Sequence, residues 1–595
     1  MTLRNGCAAA LLCLLPALTL GAREAAAQGH RGAAAVAYLN TESGVKYVGS
    51  KACAECHAGI YNEYVKTAMG QSMTVPADDP ASPPTPATIQ SEKFHRLFEA
   101  FRRNGDLFQA ESEPDASGGR VFRDAERIAY VIGAGQNGYG YLVRKGDYLF
   151  EAPLSYYTLS RAWSLSPGYE FADYGFLRPV PEACIVCHSG RARPIENRPG
   201  LYRNPPFEQL AIGCENCHGP GQLHVAERRA GAPLKGPVDL TIVNPAQLPG
   251  WLADNTCMMC HQAGDTRVLQ PGKSYADFRP GEPLSRTVAI FAAPFTPASP
   301  PQSPLLQHYQ LMILSKCYRA SRGRMSCITC HDPHFEPTAA EAPAYYRTKC
   351  LTCHTLRSCT LPMTNRRAAS DNCISCHMPQ QKLERIAHSA LTNHRIIAYS
   401  GEPFPQAAFH QTTAALPDLV YVDAALGERA APPAMVLFQV YGELMAKDPA
   451  YKARYEALLD QLAISQPGNP LILSALARRD LAAGTADALA AAKDKLGEAI
   501  KAGSALDSDY ELEAELLAHS GETVAAISIL KRGIALNPYA PRLYKRLALV
   551  YIGAHDYADA LSAMKQELAI DPEDDLVRAL IARAEGTGAQ PQSPN

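Results

Sequence analysis

Cys327-Ile328-Thr329-Cys330-His331, Cys350-Leu351-Thr352-Cys353-His354 and Cys373-Ile374-Ser375-Cys376-His377 repeat one pattern, each histidine 23 residues from the next. Four more copies lie upstream: Cys53-Cys56-His57, Cys184-Cys187-His188, Cys214-Cys217-His218 and Cys257-Cys260-His261. Composition alone yields about 0.015 such matches, and the pattern is the attachment signature of c-type haem. Two thiols three residues apart reach the two vinyl groups of one porphyrin, which places the next histidine under the iron. Zinc ribbons need paired cysteine pairs, and seven is odd. Disulfide staples give no reason for a histidine after every pair. The sequence therefore predicts seven covalently bound haems. The 23-residue spacing leaves too little chain for separate domains, so the last three motifs must share one core, with porphyrin replacing part of the usual side-chain burial.

The rest of the composition agrees with a folded, exported protein. The chain has 595 residues, 47% hydrophobic and 19% charged, enough for two or three domains. A net charge of −2 lacks the basic footprint of a nucleic-acid binder. Arg4, the apolar run Ala8–Leu20 and Ala25-Ala26-Ala27 read as a secretory signal over residues 1–27. No later run reaches the ~18 apolar residues of a spanning helix. The expectation is a periplasmic or otherwise exported protein with no transmembrane anchor after cleavage.

Organisation follows from local patterns. Residues 28–400 are expected to form a haem-packed, irregular domain in a mainly α chain. A helix is expected from Ile60 to Met73, and Pro76–Pro86 reads as a linker. A small antiparallel β insert over about 89–165 is announced by Asn104-Gly105 and Lys145-Gly146-Asp147, each between aromatic-rich runs. Residues 401–433 read as a linker. From 434 to 588 the chain has no cysteine and a period of 34: Tyr510/Tyr544, Ala526/Ala560, Leu530/Met564, Ile534/Leu568 and Pro538/Pro572. That is tetratricopeptide spacing, predicting a helical solenoid.

Seven irons require seven distal ligands. Outside the motifs stand His224, His308, His334, His388 and His394, with His95 and His410 as weaker candidates and Met69 as an eighth. His334 lies three residues after His331, too close to reach the opposite face of the same haem, so it must serve a neighbour. Met69, twelve residues after His57, stands about 18 Å away along a helix. Cys317 and Cys359 fall outside every motif; a disulfide between them and two free thiols are both open.

Tyr47-Val48-Gly49-Ser50-Lys51-Ala52-Cys53-Ala54-Glu55-Cys56-His57 resembles the opening of the multihaem cytochrome c family typified by the tetrahaem cytochrome of ammonia oxidisers. Gly213–Gly221 with His224, Cys327–His334, and Cys373–Pro379 with His388 and His394 are similar to segments recurring in that family. In that family a histidine often stands where Met69 stands here. The last segment also resembles the final haem site of pentahaem nitrite reductases. Their catalytic haem has a proximal lysine, whereas all seven motifs here end in histidine.

The expected function is an electron-transfer conduit between redox partner proteins, with the repeats as a docking surface. The alternative is a multihaem oxidoreductase acting on a small nitrogen or sulfur compound at one five-coordinate haem.

Overall fold

The computed structural model describes residues 37–586 apart from 79–82, 116, 297–306, 381–391, 410–415, 417 and 423–431. The signal segment, His388 and His410 lie outside the described residues.

Ten antiparallel strands form the first sheet: β1 (Met73–Thr74), β2 (Ala87–Ser91), β3 (Arg96–Arg103), β4 (Asp106–Pro114), β5 (Arg120–Ile132), β6 (Gly138–Lys145), β7 (Tyr148–Glu151), β8 (Leu154–Tyr157), β9 (Ala162–Leu165) and β10 (Arg178–Pro179). The main path runs β10-β7-β6-β5-β4-β3-β2, with β1 on β5 and β8 bridging β6 and β9. Asn104 and Gly105 both take left-handed backbone, φ 54° and 90°, as a two-residue hairpin turn between Arg103 and Asp106 requires. Gly146, φ 60°, turns β6 into β7 in the same way. Phe98, Tyr141, Val143, Leu154 and Trp163 fill one face of the sheet.

The first half of the chain is therefore strand-rich, which corrects the expectation of a mainly α chain with a small insert. The sheet starts at Met73 and ends at Pro179, and the expected helix to Met73 stops at Tyr64. Two further sheets follow where regular structure was not expected: β11 (Arg191–Pro194) with β12 (Tyr202–Gln209), and β13 (Thr266–Leu269) with β14 (Val288–Ala292) and β15 (Val420–Tyr421). β15 falls inside the expected linker. Leu416, Leu419 and Tyr421 pack there against Phe291, Val436 and Val440, so this stretch is core.

Nine helices close the described chain: α1 (Ala434–Met445), α2 (Lys452–Ser465), α3 (Pro470–Ala483), α4 (Ala486–Lys501), α5 (Asp507–His519), α6 (Thr523–Leu536), α7 (Pro541–Gly553), α8 (Tyr557–Ile570) and α9 (Asp575–Ala584). Consecutive helices pack as antiparallel pairs, and the positions repeating at 34 residues face inward: Tyr510, Ala526, Leu530, Tyr544, Ala560 and Met564 are all buried. The solenoid is seated at both ends. At its start, Thr266 of β13 hydrogen-bonds Glu443, and Lys447 donates to the Asp265 carbonyl at 3.0 Å. Toward its end, Tyr539 packs edge-on against Tyr148 and Phe150 of β7, while the Tyr148 hydroxyl donates to the Leu536 carbonyl at 2.9 Å. Among the described residues no helix is long and apolar enough to cross a membrane.

Candidate functional site

Each cysteine pair is carried on or beside a short helical turn. The turns are Ser50–Ala54, Glu182–Ile185, Cys214–His218, Gly250–His261, Cys327–Cys330, Ala342–Leu351 and Cys373–His377. On a helix, residues i and i+3 share a face, so both thiols of a pair point the same way. Cys317 and Cys359, both partly buried, are not paired in a disulfide.

The turns of the second to seventh motifs border one large cavity of about 1760 Å³. A single small-molecule pocket occupies ~300–1,000 Å³, so this space suits more than one bound group. The second to seventh motifs all contribute wall, from Cys187 to His377, and Met69 lines it from the turn before β1. Ala68, next to Met69, donates its backbone N–H to Glu336 at 2.9 Å, which draws that turn toward the fifth motif. From 327 to 380 not one residue is buried. A stretch of that length with no side-chain core needs its apolar contacts from elsewhere.

Histidines face each other in pairs, and two of the pairs, His261 with His308 and His331 with His394, line this space. His57 and His224 have ring centres 6.3 Å apart and planes 18° from parallel. His218 and His334 stand at 5.9 Å and 12°, His331 and His394 at 6.1 Å and 29°. His261 and His308 stand at 5.3 Å with their planes at 87°. Three of these pairs are within 30° of parallel, with ring centres 5.9–6.3 Å apart. A metal-bound imidazole nitrogen sits about 2 Å from its ion, and the ring centre lies about 1 Å further back, so two imidazoles on opposite sides of one ion have centres roughly 6 Å apart.

The other ring nitrogens are already engaged. Nδ1 of His218 lies 2.7 Å from the Val243 carbonyl, that of His377 2.6 Å from Ile397, and that of His394 3.0 Å from Thr392. Nδ1 of His224 lies 3.0 Å from Asp239, that of His308 3.1 Å from the His261 carbonyl, and that of His331 3.3 Å from the Tyr346 hydroxyl. A carbonyl or carboxylate acceptor at Nδ1, as at His218, His224, His308, His377 and His394, fixes the tautomer and leaves Nε2 free to ligate, as metal-bound histidines require. Burial holds the rings neutral: His308 is pushed down to about 3 and His394 to about 4, with His218 and His261 also lowered.

Several placements could not be read from spacing. His334 faces His218 of the third motif, and His308 faces His261 across 47 residues of chain. His308 also approaches His394, ring centres 4.3 Å apart. His188 is placed by the Ser72 hydroxyl, which donates to its carbonyl at 2.7 Å. His354 lines the cavity beside Cys353. His95 is exposed in the turn between β2 and β3, away from this arrangement. Asp239 and Tyr346, which orient His224 and His331, carry no sequence signal of their own.

Thiols of neighbouring motifs shift one another: Cys214 raises Cys53, Cys257 raises Cys327, burial and Cys373 raise Cys350, and Cys260 lowers Cys187. Cys217 and Cys257, and Cys330 and Cys353, are close enough to feel each other's charge. No three cysteine or histidine donors converge within 4.8 Å of one another among the described residues, as a tetrahedral zinc site would demand.

Comparison with known proteins addresses only the C-terminal part. No curated protein matches the chain. Among solved structures, a crystal structure of MamA is 23% identical, covering 24% of this chain and 86% of its own at a TM-score of 0.21. PilW, a widely conserved type IV pilus biogenesis factor, is 20% identical over 26% of this chain and 70% of its own, TM-score 0.21. The Arabidopsis OM64 TPR domain is 15% identical over 20% and 94%, TM-score 0.18. The tetratricopeptide-repeat family matches residues 517–584, and this part of the chain, from the end of α5 through α9, is a tetratricopeptide-repeat segment.

Proposed function

We propose that this protein is an exported heptahaem c-type cytochrome that conducts electrons between redox partner proteins. The observation that carries it is the set of facing imidazole pairs, spaced for one ion each, beside thiol pairs presented on helical turns. The donor set fits haem c in chemistry and in supply. Cys53 and Cys56, Cys184 and Cys187, Cys214 and Cys217, Cys257 and Cys260, Cys327 and Cys330, Cys350 and Cys353, and Cys373 and Cys376 would add across the vinyl groups as thioethers. His57, His188, His218, His261, His331, His354 and His377 would be the proximal ligands. His224 would then oppose His57, His334 oppose His218, His308 oppose His261 and His394 oppose His331. Met69 and His388 remain distal candidates for the other motifs.

Haem, when bound, supplies a one-electron iron couple whose potential is set by axial ligands and burial. The protein's own residues do the rest. Asp239, Tyr346 and the Val243, Thr392 and Ile397 carbonyls hold the imidazoles in one orientation and tautomer. The mutual shifts between thiols of neighbouring motifs support one series of attachment sites, first-third-fourth-fifth-sixth-seventh, with the second joined to the fourth through Cys187 and Cys260. Such continuity is what a conduit needs and a single-site enzyme does not. The solenoid supplies the extended surface that repeat folds use for protein docking.

The test is haem stoichiometry. The exported protein, denatured and reduced, is expected to keep seven haems per chain by pyridine haemochrome and by intact mass. Haem released by denaturation, or a mass matching the bare polypeptide, overturns the proposal.

A further inference from the structure

We propose that Glu111, Asp173 and Glu573 form a binding site for a divalent cation, Ca²⁺ by its donor chemistry, that ties the last turn of the solenoid to the ten-stranded sheet. The three residues come from distant parts of the chain: Glu111 from β4, Asp173 from the loop after β9, and Glu573 from the turn between α8 and α9. Their carboxylate oxygens lie within 4.8 Å of one another, the only such group of ligating side chains among the described residues. Ca²⁺ binds oxygens at about 2.3–2.6 Å, so ligands on opposite sides of it stand up to roughly 5 Å apart. Mg²⁺, at about 2.0–2.1 Å and octahedral, calls for a tighter set.

Clustering alone would not make this a site. Glu111 is 1% exposed, and neither of its carboxylate oxygens has a hydrogen-bond partner. Oδ2 of Asp173 is a third buried oxygen without one at the same spot. Buried polar oxygens are almost always hydrogen-bonded in folded proteins, so these atoms are aimed at something. Backbone makes room for it: at Gly175, φ 50°, a Cβ would stand 2.6 Å from Glu573 Oε1 and 3.8 Å from Glu111 Oε2.

Among the described residues Arg96 is the one cation paired with the group, and its geometry is poor for neutralising it. Its Nη1 is committed to Glu113 at 2.6 Å. Its other nitrogens stop at 3.4 Å from Glu111, 3.7 Å from Asp173 and 3.6 Å from Glu573, and its Nε has no hydrogen-bond partner. Four carboxylates against one guanidinium leave an excess that must be met by protons or by a cation. Without a cation, burial and mutual repulsion raise Glu111 to about 11 and Glu573 to about 8. Exported modules hold Ca²⁺ at about 10⁻⁴–10⁻³ M, the range three carboxylates beside an arginine can reach.

The experiment is calorimetric titration of CaCl₂ into the EDTA-treated, full-length, haem-loaded protein, with thermal unfolding followed in parallel. One equivalent of Ca²⁺ is expected to bind saturably and raise the unfolding temperature, with MgCl₂ at least tenfold weaker. Glu573→Gln, at the part-exposed end of the cluster, is expected to weaken Ca²⁺ at least tenfold while leaving the haem absorption spectrum unchanged. Glu111→Gln serves as the second, buried variant. No saturable Ca²⁺ binding, or equal binding by wild type and Glu573→Gln, overturns the proposal. A rise in stability in Glu111→Gln with no Ca²⁺ response also overturns it, and identifies a proton-sharing network around Arg96.

Discussion

Residues 327–380 and the solenoid from 434 onward reach order by opposite means. In the first, no residue is buried, yet three cysteine pairs and three histidines are set in fixed places around a cavity. In the second, Tyr510, Ala526, Leu530 and Leu543 interlock in a conventional apolar core. The solenoid carries its core in its side chains; the cysteine-rich stretch does not, and in the function proposed above bound haem would take that place. The difference teaches that two parts of one chain can be ordered with a side-chain core and without one.

Removing an attachment site should have the largest effect. The double substitution Cys350→Ala and Cys353→Ala is expected to lower haem content from seven to six or fewer and to open residues 327–377 to protease, with the solenoid intact. Unchanged protease resistance would mean that this stretch orders without its bound group. In the solenoid, Leu530→Ala should cost about 2–5 kcal/mol, as buried leucine truncations do. Haem spectra should stay unchanged, so denaturation followed by far-ultraviolet circular dichroism and by Soret absorption would separate the two regions. Coincident transitions would show that they fold as one unit.

Finer changes sharpen the same contrast. His334→Ala is expected to convert one iron in seven from low to high spin, read by electron paramagnetic resonance, with little effect on melting. Tyr539→Ala should loosen the seat on β7 by about 0.5–1.5 kcal/mol per aromatic pair lost. A further effect concerns pH. Burial, with Asp574 and Asp571 beside it, raises Glu567 to about 8. Such a group binds more protons folded than unfolded, so stability falls as pH rises from the ordinary carboxylate range through about 8. Glu567→Gln should flatten that fall in a series of melts across this range.

Part of this was legible in the chain. Asn104-Gly105 and Gly146-Asp147 marked hairpins because only a few residues tolerate left-handed backbone in a two-residue turn. The 34-residue period marked the repeats because each helix pair buries the same positions. The full sheet was not legible. β1 and β10 are two residues each, too short to show alternation, and they are strands only because β5 and β7 offer them edges. β15 sat in a stretch that composition assigned to a linker, and its partner β14 lies far away in sequence. For the site, the seven thiol pairs and their histidines stood out by spacing. The facing partners did not, because His218 with His334 and His261 with His308 meet through tertiary packing.

The most direct test of the central claim is low-temperature electron paramagnetic resonance on the oxidised, full-length protein, with spins quantified per haem. Four facing imidazole pairs predict at least four low-spin irons per chain and no more than three high-spin. A high-spin count above three, or no haem iron at all, would contradict the account.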